Sequence, residues 1–245
     1  MQSWNMDEAL DANSAATLTD VYESRSASWR GCTAMCESDG DVYISFIDQD
    51  QTSWVAVQRG TDNRIISREL KLAHVTRMVK HLGRLFLLVR FTDLCHSYQI
   101  LFINEFSAQH VRLPVKFYDV PTRDHIDFTV ADNQLYVYSY EHHQILVYNL
   151  CGAPKAPILM DELGFEKPSD PVRLSCVERE HPLLVVWQSD DLVCVDPSDG
   201  VVKWSRRIEN LTLMTVNHLG RVFIRTKRAG EPESTIVIID GANGW

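Results

Sequence analysis

The sequence predicts an all-β chain folded as a β-propeller of about five four-stranded blades, six if one is irregular. Three observations carry that prediction. The tetrapeptide HLGR occurs twice, at His81–Arg84 and His218–Arg221, and each copy runs into an apolar segment (LFLLVR and VFIRTK). The same strand–turn–strand pattern recurs in CESDGDVYISFI, VKHLGRLFLLVRF, TVADNQLYVYSY, CVEREHPLLVVW and TVNHLGRVFIRTK. In these, Gly, Asn and Asp supply the backbone conformations of short hairpins. Helical periodicity is nearly absent; only DELGFEKP (Asp161–Pro168) could form a helical turn.

Taken in order, the second strands of the five units begin near residues 42, 85, 135, 183 and 222. The period is roughly 40–50 residues, the range of a propeller blade. Third strands follow as SWVAVQR, YQILFINEF, QILVYNL, DLVCVDP and STIVIID, and weaker fourth strands as RIISREL, VRLPV, APILM and VVKWSRRI. The middle strands are apolar nearly throughout, as expected when both faces of a sheet are covered. A lone sheet cannot bury two faces, but stacked neighbours can. VDPSDG (Val195–Gly200) and IDGANG (Ile239–Gly244) read as equivalent hairpin ends, each with Asp followed four residues on by Gly. The fifth unit has no fourth strand of its own. TLTDVYES (Thr17–Ser24) alternates well enough to be that strand and close the ring. Residues 1–16 are expected to be a flexible acidic leader, and 17–245 a single propeller domain.

The composition is that of an ordinary globular protein: 245 residues, 45% hydrophobic and 23% charged. A net charge of −9 disfavours wholesale attraction to phosphate backbones. The N-terminus has neither a basic start nor an apolar core of a secretory signal, and no apolar run is long enough to span a bilayer. Six cysteines at irregular spacings (Cys32, Cys36, Cys95, Cys151, Cys176, Cys194) are expected to be buried reduced thiols. A soluble, cytoplasmic protein is the expectation.

The stretch DLVCVDPSDGVVKW (Asp191–Trp204) resembles β-propeller repeats of the NHL and PQQ-like kind: an apolar strand ending in Asp, a Gly-bearing turn, then a strand with Trp. The Gly-His and Trp-Asp pairs of WD40 repeats and the paired glycines of Kelch repeats are missing. The resemblance implies an architecture shared by protein- or RNA-binding modules, scaffold proteins and quinone-dependent dehydrogenases. It leaves activity open, because function belongs to sites and not to folds.

Candidate chemistry is sparse. Cys32 and Cys36 stand too far apart along a strand to share an ion, and no second pair completes a metal site. RDHID (Arg123–Asp127) is the most enzyme-like cluster, a His among carboxylates entering an inner strand; a solvated turn explains it as well. His142-His143 reads as an exposed turn. KWSRR (Lys203–Arg207) and RVFIRTKR (Arg221–Arg228) could form a basic patch, or could be charges that protect strand edges. No catalytic residue, metal ligand or cofactor is assigned.

The loops are more informative. KFYDVPTRDH (Lys116–His125) and DELGFEKPSDP (Asp161–Pro171) are long connections between units, and KRAGEPES (Lys227–Ser234) should open on their face. Aromatic rings in polar loops suit interface anchors, or else fold back over the adjacent sheet. The expected partner-binding set is Phe117, Tyr118, Arg123, Asp124, His125, Phe165 and Lys167. The leading reading is a non-catalytic scaffold that binds another protein through this face. The alternatives are a propeller enzyme, hydrolytic or quinone- or metal-dependent, with a central site near His125 and Asp127, and an RNA-binding propeller.

Overall fold

In a computed structural model of the chain, the described residues are 31–38, 40–47, 53–59, 62–65, 73–91, 97–104, 109–117, 126–165, 171–177, 181–217, 219–228, 230 and 233–244. The segments Met1–Ala16 and Thr17–Ser24 lie outside them. Among the described residues, nineteen strands form five antiparallel sheets, each a meander local in sequence. Sheet A holds β1 (Gly31–Ser38), β2 (Asp41–Ile47), β3 (Ser53–Arg59) and β4 (Asp62–Ile65). Sheet B holds β5 (Ala73–His81), β6 (Arg84–Phe91), β7 (Tyr98–Asn104) and β8 (Gln109–Phe117). Sheet C holds β9 (Ile126–Ala131), β10 (Gln134–Ser139), β11 (Gln144–Asn149) and the two-residue β12 (Ile158–Leu159). Sheet D holds β13 (Val172–Val177), β14 (Leu183–Gln188), β15 (Asp191–Val195) and β16 (Val202–Arg207). Sheet E, among the described residues, holds β17 (Leu211–Val216), β18 (Arg221–Thr226) and β19 (Thr235–Asp240).

The expected second and third strands fall where the pattern put them. The first strands of successive sheets pack side by side: β1 on β5, β5 on β9, β9 on β13 and β13 on β17. They are therefore the inner strands, and the fourth strands are the outer ones.

Why these residues form these sheets is plain from alternation. Along β6, Leu85, Leu87 and Val89 enter the core shared by sheets A and B, while Phe86 and Leu88 enter the core shared by B and C. Further cores fill the gaps between C and D and between D and E. Strands β9 and β10 are buried almost end to end. At roughly 25 cal/mol per Å² of apolar area, this two-sided burial is the main stabilising contribution.

The turns follow local chemistry. Leu82 and Gly83 both have positive φ (45° and 71°), as do Asp132 and Asn133 (45° and 55°), the signature of two-residue hairpins. The second HLGR copy closes differently. Asn217 precedes it, and its Oδ1 accepts from the amides of Leu219 and Arg221, while Gly220 N–H donates to the Asn217 carbonyl. The two copies thus occupy equivalent hairpins but not identical turns. The Asp…Gly ends do match: Gly200 N–H donates to the Asp196 carbonyl and Gly244 N–H to the Asp240 carbonyl, each at 2.9 Å. In the first, the Ser198 hydroxyl and amide, with Lys203, also hold the Asp196 carboxyl below its usual pKa.

The cysteine expectation needs correction. The five described cysteines are free thiols, but only Cys194 is fully buried; Cys32 and Cys151 are exposed. A bulge between Cys32 and Ala34 breaks the alternation that would have turned Cys32 inward.

The 240–244 turn is seated against sheet D. Trp204 Nε1 donates to the Gly241 carbonyl at 2.9 Å, and Arg206 Nε to the Gly244 carbonyl at 3.0 Å. A methyl group on Gly241 would lie 2.5 Å from both the Gly220 carbonyl oxygen and Val177 Cγ2. Backbone cannot retreat as a flexible side chain can. Gly241→Ala should therefore cost about 2–3 kcal/mol in urea unfolding. A loss below about 0.5 kcal/mol would mean the turn is not held there.

Candidate functional site

Among the described residues, polar side chains gather at the inner-strand axis and in a cleft on the face where one sheet's outer strand crosses to the next sheet.

At the axis, the inner edge of each first strand has no sheet neighbour, so its backbone groups need other partners. Asp127 on β9 supplies one: its Oδ2 accepts from the Leu174 amide of β13 at 2.8 Å. Arg77 on β5 supplies the other, donating from Nη2 to the Leu174 carbonyl at 2.9 Å. Arg77 Nε lies 3.1 Å from Asp127 Oδ1, an ion pair by distance but not aligned as a hydrogen bond. Three sheets thereby meet at one backbone unit. Asp127 is only 2% exposed and both its oxygens are engaged. As it stands, the carboxylate that the enzyme reading relied on is a clamp and not a free base.

Arg77 was missed by sequence reasoning. The available signal was a guanidinium inside an inner strand, since a charge entering a core must find a partner.

Of the expected partner-binding residues, Phe117 is the last residue of β8, its backbone paired with Tyr98. Tyr118, Arg123, Asp124, His125 and Lys167 lie outside the described residues. Phe165 is a correction: it is 5% exposed and belongs to the core between sheets C and D. The cause is local. The helical turn expected near Asp161 forms as a 3-10 turn, Asp161–Leu163, and Gly164 follows at φ 85°. The amide of Phe165 donates to the Met160 carbonyl, and that of Gly164 to the Asp161 carbonyl. This Schellman arrangement turns the chain inward and packs residue 165 beside Met160. The folding-back alternative therefore holds for this ring.

His143 is likewise buried rather than exposed; His142 alone faces solvent. Its Nε2 lies 3.3 Å from the Phe165 carbonyl and 3.5 Å from Asp161 Oδ1. A carbonyl can only accept, so Nε2 carries the proton. The pair pins the 160–165 segment to the β10–β11 hairpin.

The cleft lies beside sheet E. It encloses about 420 Å³ and is lined by Ile208, Glu209, Asn210, Thr226, Arg228, Glu233, Thr235 and Val237. Its walls are the β16–β17 crossover and the β18–β19 loop, the KRAGEPES segment, which does open on the crossover face. Both walls are tied down. The amides of Ile208 and Asn210 donate to Asp190, at its carbonyl and its carboxylate. Lys227 N–H donates to the Asn210 carbonyl at 3.0 Å, and Arg225 Nε to Ser234 Oγ at 3.1 Å. Ile208 and Val237 give an apolar floor, while Glu209, Arg228 and Glu233 are exposed on the rim. Of the arginines of the basic patch, Arg206 and Arg225 are thus engaged within the fold.

Among the described residues no three His, Cys, Asp or Glu side chains converge as a metal site would require, and no helix is long and apolar enough to cross a membrane.

Two predictions follow from this chemistry. Asp127→Ala strands the Leu174 amide and leaves Arg77 without its counter-charge, which should cost about 2–4 kcal/mol in urea unfolding, less than a fully buried pair because Arg77 is partly solvated. Asp127→Asn, which keeps an acceptor, should cost less; equal losses would discount the Leu174 bond. The thiols should separate by alkylation rate at pH 8, followed by mass spectrometry. Burial pushes Cys36 up to about 12, so roughly one part in ten thousand is thiolate. Burial of its sulfur also raises Cys32, so Cys151 should react first, Cys32 next and Cys36 far behind. Equal rates for Cys36 and Cys151 would contradict the packing of β1 on β5.

No family model matches the chain, and no curated protein matches it. Solved structures do. A protein of unknown function from Bacteroides caccae aligns with a TM-score of 0.55 at 11% identity, covering 89% of this chain and 80% of that one. A putative 6-phosphogluconolactonase from Bacteroides uniformis aligns at 0.55 and 10% identity, over 87% and 69%. Regucalcin, a calcium-binding protein from Agrobacterium tumefaciens, aligns at 0.52 and 14% identity, over 82% and 70%. At such identities the likeness speaks of architecture alone, and with the stacked four-stranded meanders it establishes that this chain has a β-propeller fold.

Proposed function

We propose that this protein is a non-catalytic interaction module that binds a partner protein on its crossover face, with repeats of the NHL or PQQ-like kind. The observation that carries this reading is the cleft beside sheet E. An apolar floor inside a charged rim is the anatomy of a protein–protein contact site. Its walls are loops fixed by backbone hydrogen bonds, so little ordering entropy opposes binding. The strands that the expected recognition loops 116–125 and 161–171 connect, β8 to β9 and β12 to β13, end and begin on this same face. We place the protein in the cytoplasm, a reading supported by free thiols at the five described cysteines.

The test compares the full chain with a rim variant, Glu209→Lys/Arg228→Glu/Glu233→Lys, as bait in native extract. The control reverses a charge at the opposite, hairpin face (Arg221→Glu). A partner retained by the wild type and the control should bind the rim variant at least about tenfold more weakly, roughly 1.4 kcal/mol. Melting temperatures should match, because the substituted side chains are exposed. Equal retention by all three baits would overturn the assignment of this face.

A further inference from the structure

We propose that the hairpin face, opposite the cleft, carries a second docking surface. Its contact points are Leu82-Gly83-Arg84 and Leu219-Gly220-Arg221, and its occupant is an acidic segment of a partner protein that also bears apolar side chains. In every sheet the first strand runs from the crossover face to the hairpin face, so the turns joining first to second strands all open there.

Leu82 is a poor choice for its turn. It holds φ at 45° with its side chain 72% exposed. Left-handed backbone is disfavoured for a bulky side chain and suits Asn, Asp and Gly. The equivalent turn of sheet C uses such residues, Asp132 and Asn133, at φ 45° and 55°. Leu219 stands at the equivalent tip of sheet E, 61% exposed, in the turn that Asn217 closes. Exposed leucines scattered singly are ordinary. Two at matching tips, each two residues ahead of an exposed arginine, make a repeated unit.

Charge selects the occupant. The guanidinium of Arg84 lies over the Phe102 ring, 5.1 Å from its centre, which holds the head group at the tip. Lys80, just before the same turn, is fixed with Nζ 2.8 Å from the Tyr43 hydroxyl. Arg221 is exposed at the second tip. The turns of sheets A and C instead carry carboxylates, Asp41 and Asp132, and among their described residues no exposed large apolar side chain. Apolar contact and positive charge therefore coincide at the same two tips. Arginine is the side chain best shaped to grip a carboxylate, and an apolar neighbour on the partner would cover the leucine.

The test is fluorescence anisotropy on the full chain with three labelled peptides of equal length. One repeats Asp-Leu-Glu-Phe, one Lys-Leu-Arg-Phe and one Asp-Ser-Glu-Ser. The first should bind at least about tenfold more tightly than either other, and more weakly as salt rises. Leu82→Asn, Leu219→Ser and Arg84→Gln should each weaken it about fivefold or more. The cleft-rim variant Glu209→Lys/Arg228→Glu/Glu233→Lys should not weaken it. Leu82→Asn should also raise the urea midpoint, because Asn before Gly suits this hairpin turn. A lower midpoint would mean that the leucine serves the fold, and would overturn the proposal. So would binding by none of the peptides, equal or tighter binding of the basic or the serine peptide, or affinity indifferent to both leucines. Self-association of the wild type that is lost in the leucine variants would assign the face to a second copy and overturn it too.

Discussion

A flat sheet has two faces, and in this chain every interior sheet must find cover for both. Neither face of sheets B, C and D is polar enough to meet water, as the burial of β6, β9 and β14 shows. The solution is a series of shared cores, one between each consecutive pair of sheets, to which odd and even residues of one strand contribute separately. Everything else follows from that sharing. The inner strands are driven together, their exposed backbone edges need capping, and polar side chains appear at the axis to cap them.

Much of this was legible beforehand because it rests on short-range chemistry. Strand starts, hairpin turns at Leu82-Gly83 and Asp132-Asn133, and the matched Asp…Gly ends all depend on residues within five positions of each other. What failed depended on longer range or on one extra residue. Asn217 redirects a turn that HLGR alone would predict to be the same as its twin. The bulge beside Cys32 changes which way a thiol faces. Arg77 and Asp127 are 50 positions apart with no spacing to link them. Phe165 looked like an anchor because its neighbours are polar, yet Gly164 in the left-handed conformation sends it inward. A loop's composition does not reveal its direction.

The same contrast separates the two polar centres. At the axis, charged groups are spent on backbone partners and on each other, leaving no obvious valence for a ligand among the described residues. Around the cleft the backbone is satisfied by backbone and by Asp190, and the rim residues Glu209, Arg228 and Glu233 are exposed. An apolar floor within an exposed charged rim on a rigid frame, more than any motif, is what recommends that face. Solved structures similar to this chain include a calcium-binding protein and a putative 6-phosphogluconolactonase, which shows how little the scaffold dictates.

The clamp at Leu174 also bears on how the molecule comes apart. Stacked repeats in which each unit touches only its neighbours behave as a linear chain of coupled two-state elements, and can fray one unit at a time. Arg77 breaks that pattern: it reaches from sheet B past sheet C to a carbonyl in sheet D, 97 residues away. Opening either interface of sheet C strains the same contact. Sheets B, C and D should then behave as one cooperative block, with partial opening confined to the sheets on either side.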